Sequence, residues 1–400
     1  MRRGTNRPQG WRQLVWLVVM VLIFFAAAKA ITALREWQDS PVHTQLPQLP
    51  QNAPPKNTGA AKTTAAPANA ELYYIRSQLG KNDREMYDQI CSMLAAHESQ
   101  TELRCADSAR PFDVYRCVLC DHPEFFWADG AAKSSWHEEN GEYCVTLFPQ
   151  YILSRSEAAG QKKQLDRIAD ALRKELGSGT DYDKVKGVYE YVIEHTRYDL
   201  AASEPDLCSV LLEGKGVCEG YAKSTQYLLQ QLGVQTLYVY GQARGGAHAW
   251  NVVKIAGSFY HLDTTWGDPI REDGRQKLIY DYFCVTSKEI SIDHTLDTDV
   301  FCPDCTAVDA NWFRREGRYF TSCDREAIER LFEQDSGRRQ PVRLRASDPA
   351  VLDEITRWLL EDRAVFDILG RLKTTGFSRN KHSYSRNDKM CVLEIYLDYD

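Results

Sequence analysis

The stretch EGKGVCEGYAKS, residues 213–224, places one cysteine, Cys218, directly before a helical pattern. Steps of 4, 7, 11 and 14 residues from Cys218 reach Ala222, Thr225, Leu229 and Leu232. This spacing predicts a helix that begins at Cys218 and buries one face. A cysteine in the first helical turn lies at the positive end of the helix dipole, which stabilises a thiolate.

Two glycines flank the thiol. Gly216 and Gly220 are expected to keep bulk away from the sulfur, which is the geometry that a nucleophile needs. A buried structural thiol at a helix start fits the same pattern, so this stretch alone leaves both interpretations open.

The segment GGAHAWNVVKIAGSFYHLDTTWGDP, residues 245–269, contains two β-rich runs separated by Ala256 and Gly257. A two-residue turn there pairs Ile255 with Ser258. Because strand side chains alternate, His248 and Asp263 then share one face of the hairpin as diagonal neighbours. One extra loop residue would reverse the register and separate them.

A thiol, a histidine and an aspartate are the groups that nucleophilic acyl transfer requires. The histidine takes the thiol proton, the aspartate orients the imidazole, and the acyl group rests on sulfur before an acceptor removes it. The alternative is that His248 is a core residue and Asp263 forms a turn, but the presence of Cys218 favours the catalytic interpretation.

At these residues the sequence resembles the transglutaminase-like superfamily, in particular its membrane-anchored or secreted bacterial members. The resemblance runs through YDKVKGVYEYVIEHTRYD, GVCEGYAKSTQYLLQQLGV, AHAWNVVKI and FYHLDTTWGDP, within residues 181–269. It implies that Cys218 is the nucleophile, His248 its base and Asp263 the orienting acid. It also implies an α+β, papain-like or transglutaminase-like core, in which the helix that carries the cysteine packs on an antiparallel sheet that carries His248 and Asp263.

Substrate-binding residues and cofactors are less well marked. Tyr221 and Trp250 flank the expected cleft and are candidates for its lining, although aromatic residues at this spacing also suit a core. No stretch has the pattern of a calcium-binding loop, so we expect thiol chemistry without a metal or cofactor. The backbone N–H of Cys218 is one expected oxyanion donor.

The chain divides by composition into six expected segments. They are a cytoplasmic N-terminus at 1–12, a transmembrane anchor or signal peptide at 13–34, a disordered linker at 35–70, an N-terminal α+β subdomain at 71–155, a transglutaminase-like core at 156–310 and a C-terminal α/β subdomain at 311–400.

The N-terminal segment and the charge indicate where the protein acts. Arginines at 2, 3, 7 and 12 precede an apolar run from Leu14, which is expected to place the catalytic region outside the cell, attached to the membrane or secreted after cleavage. A net charge of -7 without a basic run in the main body argues against a nucleic-acid partner.

The cysteine content keeps other interpretations open. Twelve cysteines outside the cytoplasm are compatible with disulfides. The pairs Cys117/Cys120 and Cys302/Cys305 are compatible with a zinc-stapled interaction protein, although they lie far apart in sequence.

The leading hypothesis is an extracytoplasmic cysteine enzyme that acts on a peptide or protein amide, with hydrolysis favoured slightly over transamidation. A cell-wall-associated substrate is a candidate because of the tether. The alternative is a catalytically inactive cell-surface binding or assembly module on the same fold, in which Cys218 is structural.

Overall fold

The computed structural model describes residues 69–200, 206–269 and 278–399. The predicted cytoplasmic N-terminus, the anchor at 13–34 and the linker as far as residue 68 lie outside the described residues. Within those described ranges, no helix combines the length and apolar character that a membrane crossing requires.

The N-terminal region is a three-stranded antiparallel sheet in the order β1-β3-β2, packed against helices. Its elements are a 3-10 turn at Ala70–Leu72, α1 Tyr74–Gln78, α2 Lys81–Ala95, β1 Thr101–Cys105, α3 Arg110–Asp121, a 3-10 turn at Pro123–Phe125, β2 Ala128–Glu139 and β3 Glu142–Tyr151. Tyr87, Ile90 and Leu94 recur at helical spacing on α2 and are fully buried.

The central region is a five-stranded antiparallel sheet in the order β10-β6-β7-β8-β9, covered by helices. Its elements are α4 Arg155–Leu176, α5 Asp181–His195, β4 Arg197–Tyr198, α6 Leu207–Glu213, β5 Lys215–Gly216, α7 Cys218–Gln231, β6 Thr236–Ala243, β7 Gly246–Ile255, β8 Ser258–Leu262, β9 Phe283–Val285, α8 Ser287–Ile290, β10 His294–Leu296 and α9 Trp312–Arg315.

Helix α5 is capped by Thr180, whose hydroxyl accepts a hydrogen bond from the Asp183 N–H. Asp183 reaches back to the backbone N–H of Thr180, which completes a capping box. The aspartate therefore contributes from inside the first turn.

The C-terminal region is a four-stranded sheet in the order β11-β12-β14-β13 with helices beside it. Its elements are β11 Tyr319–Phe320, α10 Arg325–Arg338, β12 Val342–Ala346, α11 Pro349–Thr356 with a π-helical turn at Arg357–Glu361, α12 Ala364–Arg371, β13 Phe377–Asn387 and β14 Val392–Tyr399. Cys391 occupies a left-handed turn directly before the last strand, with φ of 53°.

The described residues form two hydrophobic cores. The first joins the N-terminal sheet to the central helices and sheet, and it includes Tyr87, Tyr221 and Trp250. The second lies within the C-terminal region and includes Phe332 and Leu393. This combination of helices with antiparallel sheets confirms the α+β class. The expected domain boundaries stay a prediction, since residues on both sides of position 155 share one core.

Strand β10 lies unusually close to β6 at Gly241. A Cβ atom there would stand 2.0 Å from the carbonyl oxygen of Thr295, which no real contact allows. We therefore expect Gly241→Ala to push β10 away and to lower the free energy of unfolding by about 1–3 kcal/mol. Urea denaturation measures this change.

Gly160→Ala, on α4, is the matched control because a Cβ there meets nothing within 4 Å. It should be neutral or stabilising by up to about 1 kcal/mol. Equal stability of the Gly241→Ala and Gly160→Ala proteins would contradict the close approach of the two strands.

Candidate active site

Helix α7 begins at Cys218, as the sequence predicts. Its N-cap, Val217, provides no side-chain hydrogen bond, and the first amide that is bonded within the helix is that of Tyr221, which donates to the Val217 carbonyl. The amides of the first turn, including that of Cys218, therefore point out of the helix without intrahelical partners. The thiol side chain belongs to a half-buried residue at this end.

The flanking glycines serve a different purpose from the expected one. A Cβ at Gly216 would lie 2.4 Å from Cγ2 of Val210, and a Cβ at Gly220 would lie 2.7 Å from the Asp206 carbonyl oxygen. Both glycines therefore allow α6 to pack closely against the start of α7. Because the two glycines lack side chains, α6 fits against this end of α7. The packing of α6 therefore helps to fix the position of the thiol.

Buried amides tie α7 to the rest of the fold. Asn251 on β7 donates to the carbonyls of Ala222 and Leu237, at 3.0 and 3.1 Å, and so joins the helix to the sheet. Gln226 donates to the carbonyl of Cys120 at 2.8 Å, which joins α7 to α3. These contacts hold the helix start against the β7–β8 hairpin.

The β7–β8 hairpin has the predicted register. Ile255 pairs with Ser258, and the pairing continues to Asn251 with Leu262. Ala256 and Gly257 both have positive φ, at 49° and 88°, which is the backbone of the two-residue turn that matches strand twist. This register brings Asp263, which directly follows β8, within reach of His248 on β7.

His248 contacts both of the other candidate residues. Its Nε2 lies 2.8 Å from Oδ2 of Asp263, and its side chain lies close enough to Cys218 for the two groups to interact electrostatically. Because Nε2 is bonded to the carboxylate, Nδ1 is the nitrogen left for the thiol. The structure thus brings Cys218, His248 and Asp263 together, with Asp263 fully buried and His248 8% exposed.

The surroundings favour a charged imidazole. Burial opposes protonation of His248, but the charge of Asp263, the hydrogen bond to Asp263 and the nearby Cys218 outweigh it and raise the pKa of His248 to about 10. Burial would also favour the neutral form of Asp263, yet His248 and His294 keep the pKa of this carboxyl below its ordinary value. An imidazolium facing the sulfur stabilises a thiolate.

The second histidine, His294, is a residue that sequence reasoning missed. Its Nε2 lies 3.1 Å from Oδ2 of Asp263, the oxygen that also contacts His248, and its Nδ1 lies 2.8 Å from Oδ1 of Asp293. The other Asp263 oxygen accepts the backbone N–H of Trp266 at 3.0 Å. The only sequence signal is the Asp293–His294 pair far downstream.

Tyr221 and Trp250, the expected substrate-binding residues, do not line a cleft. Their exposed fractions are 0 and 1%. The Tyr221 hydroxyl donates to Asp268 at 2.7 Å, and the Trp250 indole N–H donates to Nδ1 of His261 at 3.1 Å. Both rings are therefore core aromatics, which corrects the binding assignment, and Trp250 supports His248 by stacking on its ring.

An open cavity of about 410 Å³ lies beside α7, between this helix, β6 and the N-terminal region. Glu219 and Lys223, from the first two turns after Cys218, lie on its wall with Tyr238 and Arg116. The cavity therefore offers charges of both signs and an aromatic ring next to the helix that carries the thiol.

Two groups of side chains within the described ranges have metal-ligand spacing: His137, Glu139 and Cys144, and His248, Asp263 and His294. In the second group the ligand atoms are already hydrogen-bonded to one another: Nε2 of His248 and Nε2 of His294 lie 2.8 and 3.1 Å from Oδ2 of Asp263. Neither group contains a cysteine of the two Cys-x-x-Cys pairs, so the described structure does not assemble the four-sulfur zinc site that those pairs would need.

Residues 170–264 match the transglutaminase-like superfamily. The human kyphoscoliosis peptidase is 28% identical over 139 residues, which is 30% of this chain and 21% of the relative, and the mouse protein is 25% identical over 156 residues, which is 34% and 23%. The chain therefore spans about a fifth of the length of these curated relatives.

Solved structures with similar regions include a TGase, at 18% identity and a TM-score of 0.25, covering 42% of this chain and 51% of the other. The periplasmic domain of TgpA from Pseudomonas aeruginosa is also 18% identical, with a TM-score of 0.23, covering 31% and 54%.

The contact between His248 and Cys218 predicts a reactive thiol. At neutral pH, iodoacetamide should alkylate Cys218 roughly tenfold or more faster in the wild type than in His248→Ala, because the imidazolium stabilises the thiolate. The advantage should shrink as the pH rises through about 10, where His248 loses its proton. Mass spectrometry of the reduced, folded protein measures the rate at each cysteine.

Cys323, which lies in the C-terminal region beside its own core, is the internal control, and its rate should not respond to His248→Ala. Equal rates for Cys218 in the two proteins at neutral pH would contradict activation of the thiol by His248.

Proposed function

We propose that the protein is a cysteine enzyme that forms a thioester from a peptide or protein amide, a proposal supported by the match of residues 170–264 to the transglutaminase-like superfamily. Hydrolysis of that thioester is favoured slightly over its transfer to an amine. The observation that carries the proposal is the position of His248, which is hydrogen-bonded through Nε2 to the buried Asp263 and lies close to Cys218.

Acylation follows from this geometry. The Cys218 thiolate attacks the amide carbonyl carbon, a carbon–sulfur bond forms, and the carbon–nitrogen bond breaks as the His248 imidazolium gives its proton to the leaving amine. Asp263 keeps Nε2 of His248 engaged, so that Nδ1 stays directed at the sulfur. The products of this step are the free amine and a thioester on Cys218.

Deacylation uses the same groups in reverse. Neutral His248 takes a proton from water or from an amine, the new bond to the carbonyl carbon forms, and the carbon–sulfur bond breaks to restore the thiolate. During both steps, the amide of Cys218 at the start of α7, which has no partner within the helix, is the donor for the oxyanion.

The cavity beside α7 is lined by Glu219 and Lys223 but by none of Cys218, His248 and Asp263, so it would hold a part of the substrate away from the reacting bond. Its charges of both signs and its tyrosine suit the polar backbone and mixed side chains of a polypeptide better than a purely apolar ligand. Hydrolysis is supported by the name of the kyphoscoliosis peptidases, although this chain covers about a fifth of them.

An extracytoplasmic location is part of the proposal. It is supported by the arginines at 2, 3, 7 and 12 followed by the apolar run from Leu14. The peptide or protein substrate then lies outside the cell membrane, where the cell wall is one candidate.

The products of turnover show whether water or a primary amine accepts the acyl group. Incubation with casein and a labelled primary amine should produce new peptide termini in excess of incorporated amine, and Cys218→Ala should lower both by on the order of a thousandfold. Peptide sequencing by mass spectrometry and label counting measure the two products. Cys323→Ser is the matched control and should keep wild-type turnover.

Amine incorporation without new termini would reassign the protein as a transamidase. A wild type that yields neither product, with a Cys218 that reacts like Cys323, would favour the inactive binding module instead.

Thiol chemistry of this kind predicts a particular response to metals. Chelation with EDTA should leave turnover unchanged. Excess Zn²⁺ should inhibit turnover, because His248, Asp263 and His294 have metal-ligand spacing and bound Zn²⁺ would displace the protons of their hydrogen bonds. Loss of turnover on EDTA treatment, restored by added Zn²⁺, would contradict the metal-free mechanism.

A further inference from the structure

The β2–β3 hairpin of the N-terminal region carries three metal-ligating side chains that have no part in the steps described above. One ligand atom from each of His137, Glu139 and Cys144 lies within 4.8 Å of the other two. His137 and Cys144 are directly paired across the two strands, and Glu139 follows His137 by two residues on the same face. An imidazole, a carboxylate and a thiol therefore lie together at one end of the hairpin.

The backbone under this group is fixed in register. Asn140 and Gly141 form a two-residue turn between the paired residues Glu139 and Glu142, with φ of 55° and 81°, which matches the twist of the strands. Strand β3 is also paired with β1 along its other edge, so Cys144 lies in the central strand of the sheet. The three side chains are thus held by paired strands, which position ligands more precisely than loops do.

Cys144 is buried although it lies on the outer face of the sheet. Its neighbour Val145 is paired with Leu103, and these two residues face the core with exposed fractions of 0 and 1%. Cys144 points to the opposite face because strand side chains alternate, yet it is only 2% exposed. Its Sγ lies 3.7 Å from Oε2 of Glu139. The group therefore combines a thiol shielded from water with two exposed side chains, those of His137 and Glu139.

The charges around the group favour a cation. Residues 134–147 contain three glutamates and no lysine or arginine. One opposing charge comes from Arg104 on β1, which is paired with Cys144 and donates to Oε2 of Glu139 at 3.0 Å. Both side chains of this ion pair are about half exposed, at 52 and 49%, and water weakens such a pair. A divalent ion can therefore compete with Arg104 for Glu139.

The donor set selects zinc among the common biological cations. Zn²⁺ accepts sulfur, imidazole nitrogen and carboxylate oxygen, whereas Mg²⁺ and Ca²⁺ require oxygen ligands. Tetrahedral zinc with bonds of about 2.0–2.3 Å sets its ligand atoms roughly 3.3–3.8 Å apart. Ligand atoms within 4.8 Å of one another need only small side-chain adjustments to reach this arrangement.

We propose that His137, Glu139 and Cys144 form a zinc site that joins β2 to β3, with the fourth coordination position open to water. The thiol proton leaves to solvent as the zinc–sulfur bond forms, and the thiolate and carboxylate together balance the charge of the ion. The site shares no residue with Cys218, His248 and Asp263, so it does not depend on the proposed function. Removal of its zinc should leave turnover in place.

Zinc binding to the reduced full chain tests the proposal. After dialysis against Zn²⁺, elemental analysis and a zinc-indicator competition measure the stoichiometry and the affinity. Cys144→Ser and His137→Ala should each lower the affinity of the hairpin site at least about a hundredfold, since even the loss of an outer-shell partner costs ten- to a hundredfold. His137 is exposed, so its variant keeps the core intact if Cys144→Ser folds poorly.

Two further variants sharpen the measurement. Cys105→Ser is the matched control, because Cys105 is paired with Tyr143 and so lies on the opposite face of the same sheet, and it should bind zinc like the wild type. Arg104→Gln removes the opposing cation and should raise the affinity by about threefold to tenfold.

Co²⁺ as a probe identifies the ligands. A thiolate-to-cobalt charge-transfer absorption should appear in the wild type, disappear in Cys144→Ser and persist in His248→Ala, in which the His248, Asp263 and His294 group has lost a ligand. Wild-type zinc affinity in both Cys144→Ser and His137→Ala, or a cobalt signal that depends on His248 and not on Cys144, would overturn the proposal, as would the absence of saturable zinc binding. A wild type that binds zinc but shows no turnover would refute the proposed function alone.

Discussion

The hydrogen bond between Nε2 of His248 and Oδ2 of Asp263, at 2.8 Å inside the protein, is the interaction on which the candidate site depends. It forms only if two strands pair in one register, and that register depends on two residues in a left-handed conformation, Ala256 and Gly257. A shift by one residue would turn His248 and Asp263 to opposite faces. The conformation of the Ala256–Gly257 turn therefore determines whether His248 and Asp263 can meet at the other end of the hairpin.

The position of Cys218 depends on a separate set of contacts, which pack α7 against α6 and against the sheet. Gly216 and Gly220 let α6 approach the start of α7, and Asn251 bonds the helix backbone to the sheet. These contacts fix where the helix begins, and the helix start supplies both the thiol and an unpaired amide. The nucleophile and its base thus belong to elements that are locked to each other by buried polar bonds.

Local patterns account for what the sequence predicts correctly. Helical spacing after Cys218 predicts the start of α7, and a two-residue turn predicts the hairpin register from residues that are neighbours in the chain. His294 could not be predicted in this way, because β10 pairs with β6 across about fifty residues and no local period connects them. Tyr221 and Trp250 were expected at a surface because they lie beside triad residues, but the helix and sheet bury both faces there.

Formation of a thioester on Cys218 is the central claim, and intact-mass measurement tests it most directly. After brief incubation with an excess of a short peptide amide and acid quenching, the protein should gain the mass of the acyl half, with the adduct mapped to Cys218 and released by hydroxylamine. The same treatment should leave Cys218→Ala unmodified. New peptide termini that form with an adduct at another residue, or that form equally in Cys218→Ala, would contradict the account.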